Sequence, residues 1–322
     1  METVLPFKLS PAYKSYIWGG HKLCTLYHKV APVEPLAETW ELSCHPNGES
    51  YIQGGEYDGQ TLAAYLKMHP QDLGTQAGKF SGFPVLIKFI DAKENLSVQV
   101  HPDDVYALEH EHHLGKMEMW YVISCERDSF LYYGLKQTLS PQEFSQRVKD
   151  QTLTDVLNKV MVRPGDVFFI PPGTLHAIGA GCVIAEIQQN SDVTYRVYDY
   201  GRIGADGNPR ELHLEKAADT ARLTAEIPVP IQSPKLYKDG YAVQRLVSCA
   251  YFTVDKLDIE TDGVFDANKE SFHSLLCIEG EYSLYTNTGC LHIQAGESVF
   301  IPAGTGRYRI SGSSRILRTL IL

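Results

Sequence analysis

The sequence predicts a mainly β protein made of two small antiparallel barrels in one chain, with short helical segments beside them. Three observations carry this. Twenty-six glycines and seventeen prolines separate many short β-branched or aromatic runs. Helical signals are confined to two stretches. A thirteen-residue pattern also occurs twice: PGDVFFIPPGTLH (164–176) and AGESVFIPAGTGR (295–307) align at a constant offset of 131, with glycines, an acid, Phe-Ile-Pro and Gly-Thr coincident. Each copy reads as turn, strand, Pro-Gly turn and next strand, the unit of an antiparallel barrel. The copies end differently, in His176 and Arg307, so if that histidine binds a metal the first barrel is the working one.

The division falls near SPKLYKDG (233–240), a polar link with Pro and Gly, giving an N-terminal unit of residues 1–236 and a C-terminal unit of residues 237–322. Composition bounds the function. The chain has 322 residues, 43% apolar and 21% charged, enough for a sizeable core. METVLPFKLS carries no basic segment leading into an apolar run, and no stretch approaches the roughly 18 apolar residues of a span, so a cytoplasmic protein with no membrane partner is expected. Seven cysteines without a CxxC pair predict reduced thiols acting as small buried hydrophobes. A net charge of -10 argues against nucleic acid but leaves room for a small phosphorylated ligand, which needs only a few local cations.

Along the chain, DGQTLAAYLKMHPQDLG (58–74) predicts a short helix capped by a threonine and stopped by proline. SPQEFSQRVKDQTLTDVLNKV (140–160) predicts a helical pair, with Ser140 as N-cap and Pro141 at the first position. In LSVQVHPDD (96–104), strand alternation puts Leu96, Val98 and Val100 in one apolar layer and Ser97, Gln99 and His101 on the other face. Three polar groups facing into a barrel are costly without partners, at roughly 1 to 3 kcal/mol each. Asp103 and Asp104, after Pro102, read as turn-shaping or capping residues.

GKMEMWYVIS (115–124) adds a second polar face with Lys116, Glu118 and Trp120 in register, opposite Met117, Met119 and Tyr121. His176 opens a strand at the barrel rim. Imidazole, carboxylate and amide oxygen together suit zinc or another divalent first-row ion. Singly, each has another reading: His101 in a turn with Asp103, Glu118 as a solvated strand residue, His176 at the rim. The cluster His110, His112 and His113, interleaved with Glu109 and Glu111, reads as a solvated helix end or loop. VIAEIQQNSDVTYRVYDYGR (183–202) sets Ile184, Glu186 and Gln188 on one face, then Thr194, Arg196 and Tyr198 on the next strand. An arginine in a cavity stays charged, so Arg196 serves an ion pair or holds an anion.

LIKFIDAKENLSVQVHPDD, GKMEMWYVI, FIPPGTLHAI and EIQQNSDVTYRVYDY resemble the type I mannose-6-phosphate isomerases (phosphomannose isomerases) in their short bacterial form, within the cupin superfamily. YIWGGHKL, ETWELSCHPNGES and PRELHLEKA resemble the same family, so the likeness covers nearly the whole chain. It implies two cupin (jelly-roll) barrels, the second metal-free. It also implies a zinc enzyme interconverting D-mannose 6-phosphate and D-fructose 6-phosphate through a cis-enediolate, with one Zn2+ per chain on Gln99, His101, Glu118 and His176. Arg196 takes the family's catalytic position. Glu186 is favoured as base, Lys116 for phosphate contact or ring opening, and Ser97 as a substrate contact. A monomer or homodimer is expected.

Two other classes stand beside this one. Two histidines and a carboxylate also suit an iron dioxygenase. A binding cupin for sugar phosphates, or an enzyme acting on another phosphosugar, would keep the same residues.

Overall fold

A computed structural model of the chain describes residues 5–204 and 207–322. Of METVLPFKLS, residues 1–4 therefore lie outside the described part. The protein is mainly β, and three large sheets make up its architecture. A six-stranded antiparallel sheet runs in the order Val167–Ile170, Glu118–Cys125, Cys182–Gln189, Val85–Ala92, Glu38–Leu42 and Ala12–Lys14. Facing it, a five-stranded sheet runs Leu157–Met161, Phe130–Leu135, His176–Ile178, Val98–Val100 and Tyr195–Tyr198. Trp120, Phe168 and Ile184 of the first meet Leu131 and Ile178 of the second in one apolar cluster, as two packed sheet faces do.

Both outer faces are covered. Val98, Val100 and Val197 pack against Phe144 and Val148 of the helix Pro141–Lys149 and Ala217 of the helix Leu214–Thr220. Behind the six-stranded sheet, Phe89, Met119, Tyr121 and Val183 pack against Leu276, Phe300 and Leu317 of the third sheet. Cover on both sides leaves Val85–Ala92 and Cys182–Gln189 buried at every position, which explains their near-continuous apolar sequences.

The third sheet has ten strands and includes Thr253–Ile259, His273–Thr286, Ser298–Ile301 and Gly306–Leu320. Gly306–Leu320 pairs with three partners and curls round a core holding Leu257, Phe265, Ile293 and Tyr308. Phe7–Ser10 and Tyr51–Gln53, from the start of the chain, complete this sheet. Residues 233–240 hold its exposed edge strand Lys235–Lys238. The repeat has a backbone counterpart. Gly165 and Gly296 sit at φ +93 and +90, and Gly173 and Gly304 both at +84, so equivalent turns adopt equivalent left-handed geometry.

Helix Leu62–Met68 starts at Thr61, whose hydroxyl accepts from Ala64 N at 3.1 Å. Ser140 caps Pro141–Lys149 in the same way. The expected second helix of that pair is absent: a single 3-10 turn, Leu153–Val156, leads into Leu157–Met161, which pairs with Phe130–Leu135. Sheet pairing outweighs local propensity there. Leu96 also departs from expectation, because regular strand begins only at Val98 and Leu96 joins the cluster of Trp120 instead of the layer of Val98 and Val100. All seven cysteines are free, yet only Cys182 and Cys277 are buried and Cys290 is exposed, so burial does not describe the set. Among the described residues no helix is long and apolar enough to cross a membrane.

The paired turns make one prediction. Gly165→Ala meets open space and should cost about 1–2 kcal/mol for the backbone conformation alone. Gly296→Ala would in addition overlap the Tyr27 side chain and should cost clearly more. Urea midpoints of the two variants check the order.

Candidate active site

Three strands bring together a compact set of bare donors. Glu118 opens its strand in the six-stranded sheet, His176 opens one in the facing sheet, and His101 follows Val98–Val100. All three are buried. His176 Nε2 lies 3.2 Å from Glu118 Oε1 and 3.2 Å from His101 Nε2, and His101 Nε2 is 3.6 Å from Glu118 Oε2. Each imidazole is already committed on its other nitrogen, since His101 Nδ1 faces Val193 O at 2.9 Å and His176 Nδ1 faces Thr174 O at 2.8 Å. A carbonyl only accepts, so both Nδ1 atoms carry the proton and both Nε2 lone pairs point at one another. Neither Glu118 oxygen has a hydrogen-bond partner.

Two lone pairs aimed at each other repel, charge on the buried Glu118 is costly, and a divalent cation satisfies both lone pairs and the ionised carboxylate at once. The electrostatics agree. Burial pushes His176 down to about 4 and His101 well below its ordinary value, keeping both neutral as ligands must be. Burial, then the charge of Glu186, drives the Glu118 carboxyl up to about 8, a site that ionises readily only beside a cation. Gln99 is the register partner of both His176 and Arg196, so its amide belongs to the same edge.

Beside this set runs a row of side chains across four strands. Trp40, Lys88, Glu186 and Trp120 are successive cross-strand partners. Lys88 Nζ lies 3.3 Å from Glu186 Oε1 and 3.5 Å from Glu38 Oε2, while Trp120 and Trp40 donate their indole N–H to Glu186 and Glu38 at 2.8 Å each. Burial works against charge on Lys88, but Glu38 and Glu186 outweigh it and hold its pKa above the ordinary value. Burial likewise opposes charge on Glu186, and Lys88 and Lys116 outweigh it, so Glu186 stays ionised.

The row borders a cavity of about 310 Å3 lined by Ser97, Gln99, Lys116, Glu186, Arg196 and Arg210, among others, and Gln99 and Lys116 link this cavity to the buried donor set. Lys116 is buried, its ammonium 3.7 Å from Glu118 Oε2. Arg196 donates through Nη1 to Glu211 O at 2.7 Å, whereas its buried Nε has no acceptor among the described residues. Thr194 and Arg196 line the cavity as expected, but a register shift after Arg196 turns Tyr198 into the layer of the covering helices.

The histidine-rich stretch after residue 109 divides. His110 and His112 close the helix Asp104–Glu111, and His112 is exposed at its C-cap. His113 turns inward instead, grouping with His45 and Asp192. There Asn47 N–H donates to His45 Nδ1 at 3.2 Å, which puts the His45 proton on Nε2, 3.4 Å from Asp192 Oδ1. That arrangement suits a hydrogen bond from His45 to Asp192 better than a ligand set, and the bond to His45 holds Asp192 well below the usual carboxylate range.

Comparison with known proteins matches this architecture and site. A family model described as phosphomannose isomerase type I, catalytic domain, matches residues 6–118, and one described as mannose-6-phosphate isomerase, cupin domain, matches residues 242–321. Mannose-6-phosphate isomerase ManA of Bacillus subtilis is 36% identical over 96% of this chain and 97% of its own. A mannose-6-phosphate isomerase of Streptococcus mutans is 41% identical over 79% of each chain. The crystal structure of the Bacillus subtilis mannose 6-phosphate isomerase superposes with a TM-score of 0.91 at 35% identity, covering 98% of this chain and 99% of that one. The chain belongs to the type I phosphomannose isomerase family.

Sequence reasoning overlooked Lys88, Glu38, Arg210 and Asp192. Lys88 had a signal: it is the one cation in the otherwise apolar run VLIKFI, a position that only a buried counter-charge explains. Glu38 and Arg210 had none, because their partners are set by tertiary packing alone.

Lys88→Met should leave Glu38 and Glu186 buried without their cation. A loss of about 3–5 kcal/mol in unfolding free energy is expected, read from urea titration at neutral pH.

Proposed function

We propose that the protein interconverts D-mannose 6-phosphate and D-fructose 6-phosphate through a cis-enediolate, using one zinc ion held by Gln99, His101, Glu118 and His176. The observation that carries this reading is the meeting of bare nitrogen and oxygen donors next to a cation-lined cavity, with Lys116 reaching from the cavity to Glu118, in a member of this family. Four protein ligands with nitrogen and oxygen atoms suit zinc.

Moving a proton between C1 and C2 requires a base and a partner for the negative charge that develops on oxygen. When bound, the zinc ion supplies Lewis acidity toward the sugar oxygens. Arg196 has a buried guanidinium N–H without an acceptor, a donor free to meet the enediolate. Glu186 is ionised, as a proton acceptor must be, and Trp120 fixes its orientation. Lys116 projects between Glu118 and the cavity, where its ammonium can hold phosphate or hand a proton to the ring oxygen. Ser97 offers a hydroxyl on the same wall. Arg210, whose guanidinium is clamped by Asp199, adds a fixed positive charge for the phosphate.

Arg196→Ala should lower kcat by about 10^2 to 10^3 while the zinc content stays at the wild-type level. His176→Ala and Glu118→Ala should lose both metal and activity. A coupled assay with mannose 6-phosphate and glucose 6-phosphate, with and without chelator, tests the whole reading. Turnover of the first substrate alone, abolished by chelator, supports it; chelator-resistant turnover, or near-normal kcat in Arg196→Ala, contradicts it.

A further inference from the structure

The C-terminal sheet contacts the segment beside the active site through Tyr251. Between the strands Tyr241–Ser248 and Thr253–Ile259, a tight turn closed by Cys249 N–H to Phe252 O at 3.0 Å presents Tyr251. Phe252 anchors that turn in the apolar layer between the two halves. The Tyr251 hydroxyl donates to Asp104 Oδ2 at 2.6 Å. Burial and this bond raise the Tyr251 pKa, so the phenol keeps its proton and remains a donor.

Asp104 does not cap its helix; Asp103 does, accepting from Tyr106 N at 2.9 Å. The other oxygen of Asp104 accepts from Gly115 N at 2.8 Å and from Gln189 Nε2 at 2.9 Å. Gln189 is buried and in turn grips residue 117 twice: its Oε1 accepts from Met117 N at 2.8 Å, and its backbone N–H donates to Met117 O at 3.0 Å. Lys116 N–H donates to Pro102 O at 3.1 Å. Gly115 lies so close to the backbone of Asp103 and Asp104 that any Cβ there would clash with it. Residues 115–117 are thus held at every peptide; they include Lys116, which lines the cavity, and lead directly into Glu118 of the donor set.

We propose that Tyr251, Asp104 and Gln189 form a clamp that positions Lys116 and Glu118, and that through Tyr251 the C-terminal half takes part in catalysis without touching the substrate. These are positioning residues. A carboxylate that accepts three hydrogen bonds on two oxygens is a stiff junction, since bonds to a charged group are the stronger class. Loosening it should relax the segment carrying Glu118, and outer partners of metal ligands commonly alter affinity or rate by about ten-fold or more. The proposal rests on the ligand role assigned above to Glu118.

Tyr251→Phe removes one oxygen and keeps the ring that stacks on Phe80. In this variant, at a temperature well below its unfolding midpoint, kcat should fall about ten-fold with KM within about two-fold, and zinc should be lost to a competing chelator at about ten-fold lower chelator concentration. Asp104→Asn should act in the same direction. The double variant should be no worse than Asp104→Asn alone, because both changes break one junction. If Tyr251→Phe shifts only the unfolding midpoint and keeps wild-type kcat and chelator competition, the clamp is wrong; so too if the two effects simply add. Wild-type protein that binds no metal would instead overturn the ligand reading, a separate outcome.

Discussion

Two imidazole nitrogens stripped of protons, facing each other and an unpartnered carboxylate at the dry centre of a sheet sandwich, are the constraint on which the remaining structure turns. Left alone, the arrangement is repulsive. It persists because His101 and His176 are each tied by Nδ1 to a backbone carbonyl, of Val193 and Thr174, just before a strand, and because Glu118 lies in a strand paired on both sides. The scaffold therefore holds the donors apart from water with both imidazoles neutral, as a cation requires, while Glu118 gives up its proton beside the cation. That preorganisation costs stability in the absence of the ion and is recovered when it binds.

A second constraint follows from the double cover of the six-stranded sheet. Its inner face carries the charged row and the carboxylate, while its outer face is packed against the C-terminal sheet. Buried charge on the inner face depends on complete pairing of Lys88 with Glu38 and Glu186, since an uncompensated ion in such a place is worth several kcal/mol. The C-terminal half excludes water from the other side. Strands from the start of the chain lie in that C-terminal sheet, so the two halves are joined by shared hydrogen bonding as well as by contact.

Much of this was legible in the sequence. The repeated Gly and Pro-Gly turns encode the same left-handed geometry in both copies. Strict alternation correctly separated Glu118 and Trp120 from Met119 and Tyr121, because the strand is regular from Glu118 on and each face meets a different core. Alternation failed at Leu96 and at Tyr198, where the strand had not begun or its register shifts. The helical reading of residues 157–160 failed because long-range pairing with Phe130–Leu135 decides that segment. His113 and Asp104 were read from neighbours in sequence, as solvated end and turn residue, whereas each is defined by partners from remote parts of the chain.

The central claim is that His101, Glu118 and His176 are an energetically incomplete set without a cation. Unfolding of chelator-stripped protein, followed as zinc is added back, tests it most directly. A ligand that binds only the folded state stabilises it by about 2.7 kcal/mol at a hundred times its dissociation constant. Stability should rise by at least that much and the tight phase should saturate at one equivalent per chain. An unfolding curve indifferent to zinc, or a rise that persists in Glu118→Ala, would contradict the account.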